Sequence, residues 1–178
     1  FIVGNPPFIG NKRMIDELGE GYVEAIRNAY KDIPGSVDFV MYWWHKAASV
    51  VRNGAARRFG LITTNTIVQT FNRQVTSRLL SEKPASLSLV LAIADHPWVK
   101  SQDRAAVRVA MTVGQKGKKP GLSGHTIREE ALNSDNPDVE VSFKPGFVLS
   151  NLKVGVDVTS AAKLRANKWL CWQGCKLV

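Results

Sequence analysis

The chain has 178 residues, enough for one sizeable core and at most a small second lobe. Its net charge of +9 and pI of about 9.8 fit a surface that meets a polyanion, and equally fit ordinary solubility charge. No apolar run approaches the ~18 residues of a membrane span and no signal peptide is present. Cys171 and Cys175 are too few for a disulfide scaffold and have no neighbouring His to complete a zinc set. Free cytoplasmic thiols are therefore expected, with neither metal nor membrane.

Phe1-Ile2-Val3 reads as a buried strand and, with no initial Met, as the start of a piece cut from a longer protein. It stops at Asn5-Pro6-Pro7-Phe8. Both prolines lack an N–H and have a fixed φ, and the residue before each is pushed toward extended geometry. The product is a stiff turn that presents the Asn5 side-chain amide and the Pro6 carbonyl as acceptors, with the Phe8 ring beside them. Two acceptors and a ring suit a planar amino group. Ile9 to Arg13 follows as a polar, flexible loop carrying Lys12 and Arg13.

Ile15, Leu18, Tyr22, Ile26 and Tyr30 recur at helical spacing, weakened by Gly19 and Gly21 and broken at Ile33-Pro34-Gly35. Ser36 reads as an N-cap, with Asp38 in the first turn of a helix from Val37 to Arg52. That helix has two apolar rows, Phe39/Trp43/Ala47/Val50 and Val40/Trp44/Ala48/Val51, so it should lie flat on a sheet with both tryptophans in the core. Asn53-Gly54 closes it.

Phe59 to Thr63 reads as a buried strand entering the polar turn Thr64-Asn65-Thr66, at the sheet edge where open α/β folds bind ligands. Thr70 caps a helix with Phe71, Val75 and Leu79 on one stripe, ended by Lys83-Pro84. Leu87 to Ile93 is apolar enough for a central strand. After it, Asp95 reads as a turn cap and His96 as a structural hydrogen-bonder, ahead of Pro97-Trp98. Val107 to Val113 alternates with period two, its Val/Met face inward and Arg108 and Thr112 opposite. The element order is that of an α/β sheet with a late hairpin. Lys100, Arg104, Arg108, Lys116, Lys118 and Lys119 gather near the hairpin and read as phosphate contacts, and Gly114 to Gly124 as a mobile loop or linker. Beyond residue 125, Asp135-Asn136-Pro137-Asp138 reads as a turn, Val139 to Phe143 as a strand and the region of Ala161 to Ala166 as a short helix before a strand-like end.

Behind its strand, Asn5-Pro6-Pro7-Phe8 resembles motif IV of the amino-group methyltransferases that use S-adenosylmethionine. Asp38 to Thr66 is similar to that family's helix, turn and strand entering a Thr/Asn-rich loop. Asp95 to Val113 is similar to its motif VIII, with Trp98 in the aromatic position. Ala94-Asp95-His96-Pro97-Trp98-Val99 with Ala105 to Val113 narrows the likeness to the adenine-specific DNA methyltransferases of large bacterial restriction–modification fusion proteins.

The resemblance implies an α/β fold: the C-terminal half of a Rossmann-like, S-adenosylmethionine-dependent methyltransferase sheet with a late β-hairpin, then a small α+β extension. Residues 1–115 would be that half of the catalytic domain, and residues 116–178 a linker and the entry to a target-recognition domain. Methyl transfer would go to the amino group of an adenine flipped out of double-stranded DNA. Asn5, Pro6, Pro7 and Phe8 would be catalytic, and Phe8 and Trp98 would stack on the base. Lys12, Arg13, Lys100, Arg104, Arg108, Lys116, Lys118 and Lys119 would hold DNA. The family's glycine-rich cofactor loop precedes motif IV and is not found here, Gly19-Glu20-Gly21 being a lone pattern. The chain alone should thus bind S-adenosylmethionine weakly or not at all, be inactive, and self-associate through its exposed sheet edge. Two alternatives remain: a methyltransferase for RNA or a protein glutamine, which shares the motif, and a nucleic-acid-binding module without catalysis.

Overall fold

Ile2–Gly4 (β1) lies parallel to Arg58–Thr64 (β2). Beside β2 runs Arg108–Lys116 (β4), antiparallel to it and also antiparallel to Leu87–Pro97 (β3). The reversed strand therefore sits between two that point the same way. Gly121–Glu130 (β5) adds parallel to β3, and Asp138–Gly146 (β6) antiparallel to β5, which completes six strands in the order β1-β2-β4-β3-β5-β6. The computed structural model describes residues 1–82, 86–98, 107–132, 134, 137–156 and 165–167. Lys83-Pro84, Lys100, Arg104, Asp135-Asn136, the start of the helix expected at Ala161, and Cys171 and Cys175 lie outside the described residues.

Met14–Leu18 (α1) and Glu20–Ala29 (α2) replace the single expected helix, broken at Gly19 with φ of 83°. Leu18, Ile26 and Tyr30 of the expected stripe pack against the core beside the fully buried Met14 and Val23, while Ile15 and Tyr22 are exposed. The break at Gly19 shifts the phase of the second helix, so Met14 and Val23, outside the expected stripe, are the most buried. Val40–Arg52 (α3) packs on β2 and β4, and Thr70–Ser81 (α4) on β3 and α3. Phe39, not Ser36, is the N-cap residue of α3, and Asp38 turns its side chain elsewhere. No helix among the described residues is long and apolar enough to cross a membrane.

Trp44 occupies the centre of this layer. It is wholly buried, meets Phe59 edge-on with centroids 5.2 Å apart, and donates its Nε1–H to Thr112 Oγ1 at 3.1 Å. Trp43, one residue earlier, is 50% exposed. On β4, Ala110 and Thr112 face this layer and are buried; of the face expected inward, Val109 is buried and Met111 and Val113 are half-buried. A buried hydroxyl is tolerated at Thr112 because the indole satisfies it.

The expected linker at Gly114 to Gly124 is mostly strand. Gly114–Lys116 ends β4 and Gly121–Gly124 opens β5, leaving a short turn in which Gly117 has φ of 94° and gives its N–H to the Ser86 carbonyl. Glycine here serves close approach. A Cβ on Gly121 would stand 2.3 Å from the Leu89 carbonyl oxygen, and one on Gly114 would stand 2.1 Å from the Phe59 ring. Gly114→Ala must displace a buried ring that Trp44 holds, so we expect it to lower the stability of this chain by about 1–3 kcal/mol in urea unfolding. An unchanged midpoint would show that Phe59 moves aside freely. Past β6, Val148 and Leu152 fold back into the core, and the Leu152 carbonyl accepts from buried Ser123 Oγ at 2.7 Å.

Candidate active site

β1, β2 and β3 run in one direction, so the turns after their carboxyl ends share one end of the sheet. Those turns hold Asn5-Pro6-Pro7-Phe8, Asn65 and Trp98 respectively. The antiparallel β4 produces this arrangement, because it separates β2 from β3 without reversing either.

Asn5 is exposed, and among the described residues none hydrogen-bonds its side-chain amide. The Phe8 ring is half-buried. The far end of the loop is tied down: the Ile9 carbonyl accepts the Phe39 N–H at 2.9 Å, and the Asn11 N–H reaches Asp38 Oδ1 at 2.9 Å. Between a strand at one end and α3 at the other, the two prolines leave the turn few conformations. Lys12 and Arg13 sit in the short 3-10 turn Asn11–Arg13 beside it, Lys12 exposed and Arg13 paired with Glu17.

The second and third turns are joined reciprocally. Asn65 Nδ2 donates to Asp95 Oδ1 at 3.1 Å, and the Asp95 N–H donates to Asn65 Oδ1 at 2.9 Å. Asp95 has φ of 56°, a left-handed conformation that interrupts the β3–β4 register between Ile93 and His96. The cost of that backbone is offset by its partners. Arg108 donates to the Asp95 carboxylate at 2.8 Å and to its carbonyl, and grips Glu129 of β5 with two nitrogens at 2.7 and 2.9 Å. Hydrogen bonding to Glu129, then to Asp95, raises the Arg108 pKa above its ordinary value, and Arg108 in turn lowers that of Glu129. Arg108, expected on phosphate, thus has two carboxylate partners inside the fold. His96 Nδ1 donates to the Pro97 carbonyl at 2.8 Å. Trp98 follows, 37% exposed, with its N–H held by the Val107 carbonyl at 2.9 Å.

Of the remaining basic residues, the described Lys116, Lys118 and Lys119 do not gather here. Lys116 pairs with Leu87 at the opposite end of the strand pair that carries Arg108 opposite Pro97. At ~3.4 Å per residue, the eight steps from Arg108 to Lys116 span roughly 27 Å. Lys118 lies 5.5 Å from the centre of the Phe147 ring, and Lys119 donates its N–H to Ser88 Oγ at 2.9 Å. An antiparallel strand carries residues close in sequence to opposite ends of the sheet.

The structure joins Asp38 and Thr66 to Asn72, a residue that sequence reading does not single out. Asn72 is only 5% exposed on the buried stripe of α4, and its Nδ2 donates to Asp38 Oδ2 at 2.8 Å and to the Thr66 carbonyl at 3.1 Å. The signal was there: an Asn one turn before Thr76 and three residues before Val75 marks a buried polar side chain that needs partners. Gly10 and Gly19, the first glycines after the turn in sequence, are not in tight contact with neighbours. Gly19 opens onto empty space, and a Cβ on Gly10 would meet Asp38 Oδ1 at an ordinary 3.7 Å. Nor do three or more His, Cys, Asp or Glu converge on a metal position among the described residues.

A family model described as the MmeI DNA-methyltransferase domain matches residues 1–123. Among solved structures, the Type IIL restriction-modification enzyme MmeI in complex with DNA superposes with a TM-score of 0.60 at 22% sequence identity, covering 89% of this chain. The likeness is one of fold, and this chain spans 20% of that enzyme's length. The six-stranded mixed sheet is thus that of a Rossmann-like methyltransferase. No curated protein matches the sequence.

Proposed function

Because this chain belongs to the MmeI DNA-methyltransferase domain family, we propose that it carries the base-holding half of an adenine-specific DNA methyltransferase site in a restriction–modification protein. The observation that carries the reading is the stiff Asn5-Pro6-Pro7-Phe8 turn, its amide unpartnered among the described residues, at the same sheet end as Trp98.

An exocyclic amine is a weak nucleophile because its lone pair is delocalised into the ring. Asn5 Oδ1 and the Pro6 carbonyl accept its two N–H bonds, which favours a pyramidal nitrogen with a localised lone pair. Holding the amine in line is the main requirement, and His96 serves structure through Pro97. When bound, S-adenosylmethionine supplies the electrophilic methyl group. Duplex DNA hides the amine, so the base must be flipped out, and Phe8 and Trp98 stack on it for about 1–3 kcal/mol. Lys12 and Arg13, with Lys100 and Arg104, contact phosphates beside the flipped base. Lys116, Lys118 and Lys119 form a separate patch that meets more distant phosphates. Residues 1–115 do this work, and the chain beyond leads toward target recognition.

The test is the product. DNA incubated with the intact protein and cofactor, then digested to nucleosides, should yield N6-methyladenine. Methylcytosine alone would remove the adenine assignment, and methylated RNA in place of DNA would select the RNA alternative. This chain by itself should show no micromolar S-adenosylmethionine binding by calorimetry and should self-associate along the three-residue edge strand β1, where Val3, and Phe1 just before the strand, are exposed. Micromolar binding, or a clean monomer in sedimentation at high concentration, would contradict these expectations.

A further inference from the structure

Asp38 joins three segments that are distant in sequence. Its Oδ1 accepts the Asn11 N–H at 2.9 Å; its Oδ2 accepts the Thr66 hydroxyl at 2.6 Å and Asn72 Nδ2 at 2.8 Å. Its own N–H donates to Asn72 Oδ1 at 3.0 Å, and the next N–H, from Phe39, holds the Ile9 carbonyl at 2.9 Å. The Thr66 hydroxyl is in turn 2.7 Å from that of Thr64. Every group facing the carboxylate is a donor.

Thr66 and Asn65 are adjacent. Thr66 faces Asp38, and Asn65 faces Asp95, which Arg108 locks to Glu129. A belt of hydrogen bonds thus crosses the ends of β1, β2 and β3. It ties the loop after Asn5 to the turn that precedes Trp98.

We propose that Asp38 is the positioning residue that sets the Asn5 turn in register with Trp98, so that amine acceptors and stacking ring meet the same base. The prolines set the shape of the turn, and Asp38 sets its place. Because Asp38 acts through Asn5, this role depends on the function proposed above. A carboxylate is required by polarity: it only accepts, whereas an amide of the same size would turn its NH2 toward the Thr66 hydroxyl and the Asn72 amide. The pair cannot be reversed: an Asp at 72 would set its carboxylate against the Thr66 carbonyl, to which Asn72 Nδ2 now donates at 3.1 Å.

The experiment uses the intact protein and DNA bearing its mapped methylation site, with 2-aminopurine at the target base. Asp38→Asn should slow single-turnover methyl transfer about a hundredfold, the scale of a misplacement near 1 Å. It should weaken the 2-aminopurine signal of the held base and leave DNA affinity within threefold. A rate within twofold of wild type for Asp38→Asn, or an unchanged 2-aminopurine signal, overturns the role of Asp38. Asn5→Ala in the same assay separates the two readings: near-wild-type turnover there removes the function of the turn itself, whereas near-wild-type turnover of Asp38→Asn alone removes only its positioning.

Discussion

Asn5→Ala in the intact protein lowers the single-turnover rate of methyl transfer by about a hundred- to a thousandfold, the usual cost of losing one preorganised group at a reacting atom, and leaves DNA affinity near wild type. The two effects separate because they arise from different energy terms. Affinity for DNA comes mainly from phosphate contacts, and Asn5 is an amide on a turn with no charge to offer. Its oxygen matters most when the amine becomes pyramidal, so its contribution is largest in the transition state. The variant should fold normally, since Asn5 is exposed and its side-chain amide has no hydrogen-bond partner among the described residues. The measurement is rapid-quench methyl transfer beside a salt-titrated DNA affinity. A near-wild-type rate would reduce Asn5-Pro6-Pro7-Phe8 to a turn and take away the main support for the proposed chemistry.

Trp44→Ala destabilises this chain by about 3–5 kcal/mol, a large part of the ~5–15 kcal/mol that holds a domain folded. Two losses combine. The indole is wholly buried against Phe59, so its removal leaves a cavity, and Thr112 Oγ1, 1% exposed as a residue, loses its donor. Trp43→Ala should cost about 1 kcal/mol, because that ring is half in solvent and touches Phe39 only edge-on at 6.3 Å. Urea unfolding of both variants checks the contrast. Equal losses would mean that α3 sits on the sheet rotated from the orientation described.

The contrast between neighbouring tryptophans shows where sequence reading stops. Trp43 and Trp44 fall on two adjacent apolar rows of one helix, and periodicity assigns both to the core. Which row is covered depends on the angle at which α3 meets β2 and β4. Thr112 on β4 settles it by offering the one hydroxyl that an indole N–H can reach. The glycines after Val113 show the same limit. Read alone they suggest flexibility, but Gly114 makes room for Phe59 and Gly121 for the backbone of β3, neither of them near in sequence.

From the sequence alone came everything that is set within a few residues: the φ of two prolines and the acceptors they leave exposed, the apolar runs that become strands, and the polar turns that end them. The α/β class and the motif around Asn5 followed from these, as steric and hydrogen-bonding limits act locally and do not need the rest of the chain. The tertiary structure alone decided what depends on pairing and direction. Asp38 reads as a first-turn acid until Asn11, Thr66 and Asn72, which lie 27, 28 and 34 residues away, converge on it. The basic residues read as one cluster until β4 carries Arg108 to the site end of the sheet and Lys116 to the other. A side chain's local conformation is limited by its own backbone; its partners are chosen by strand order and register, and these are properties of the whole sheet.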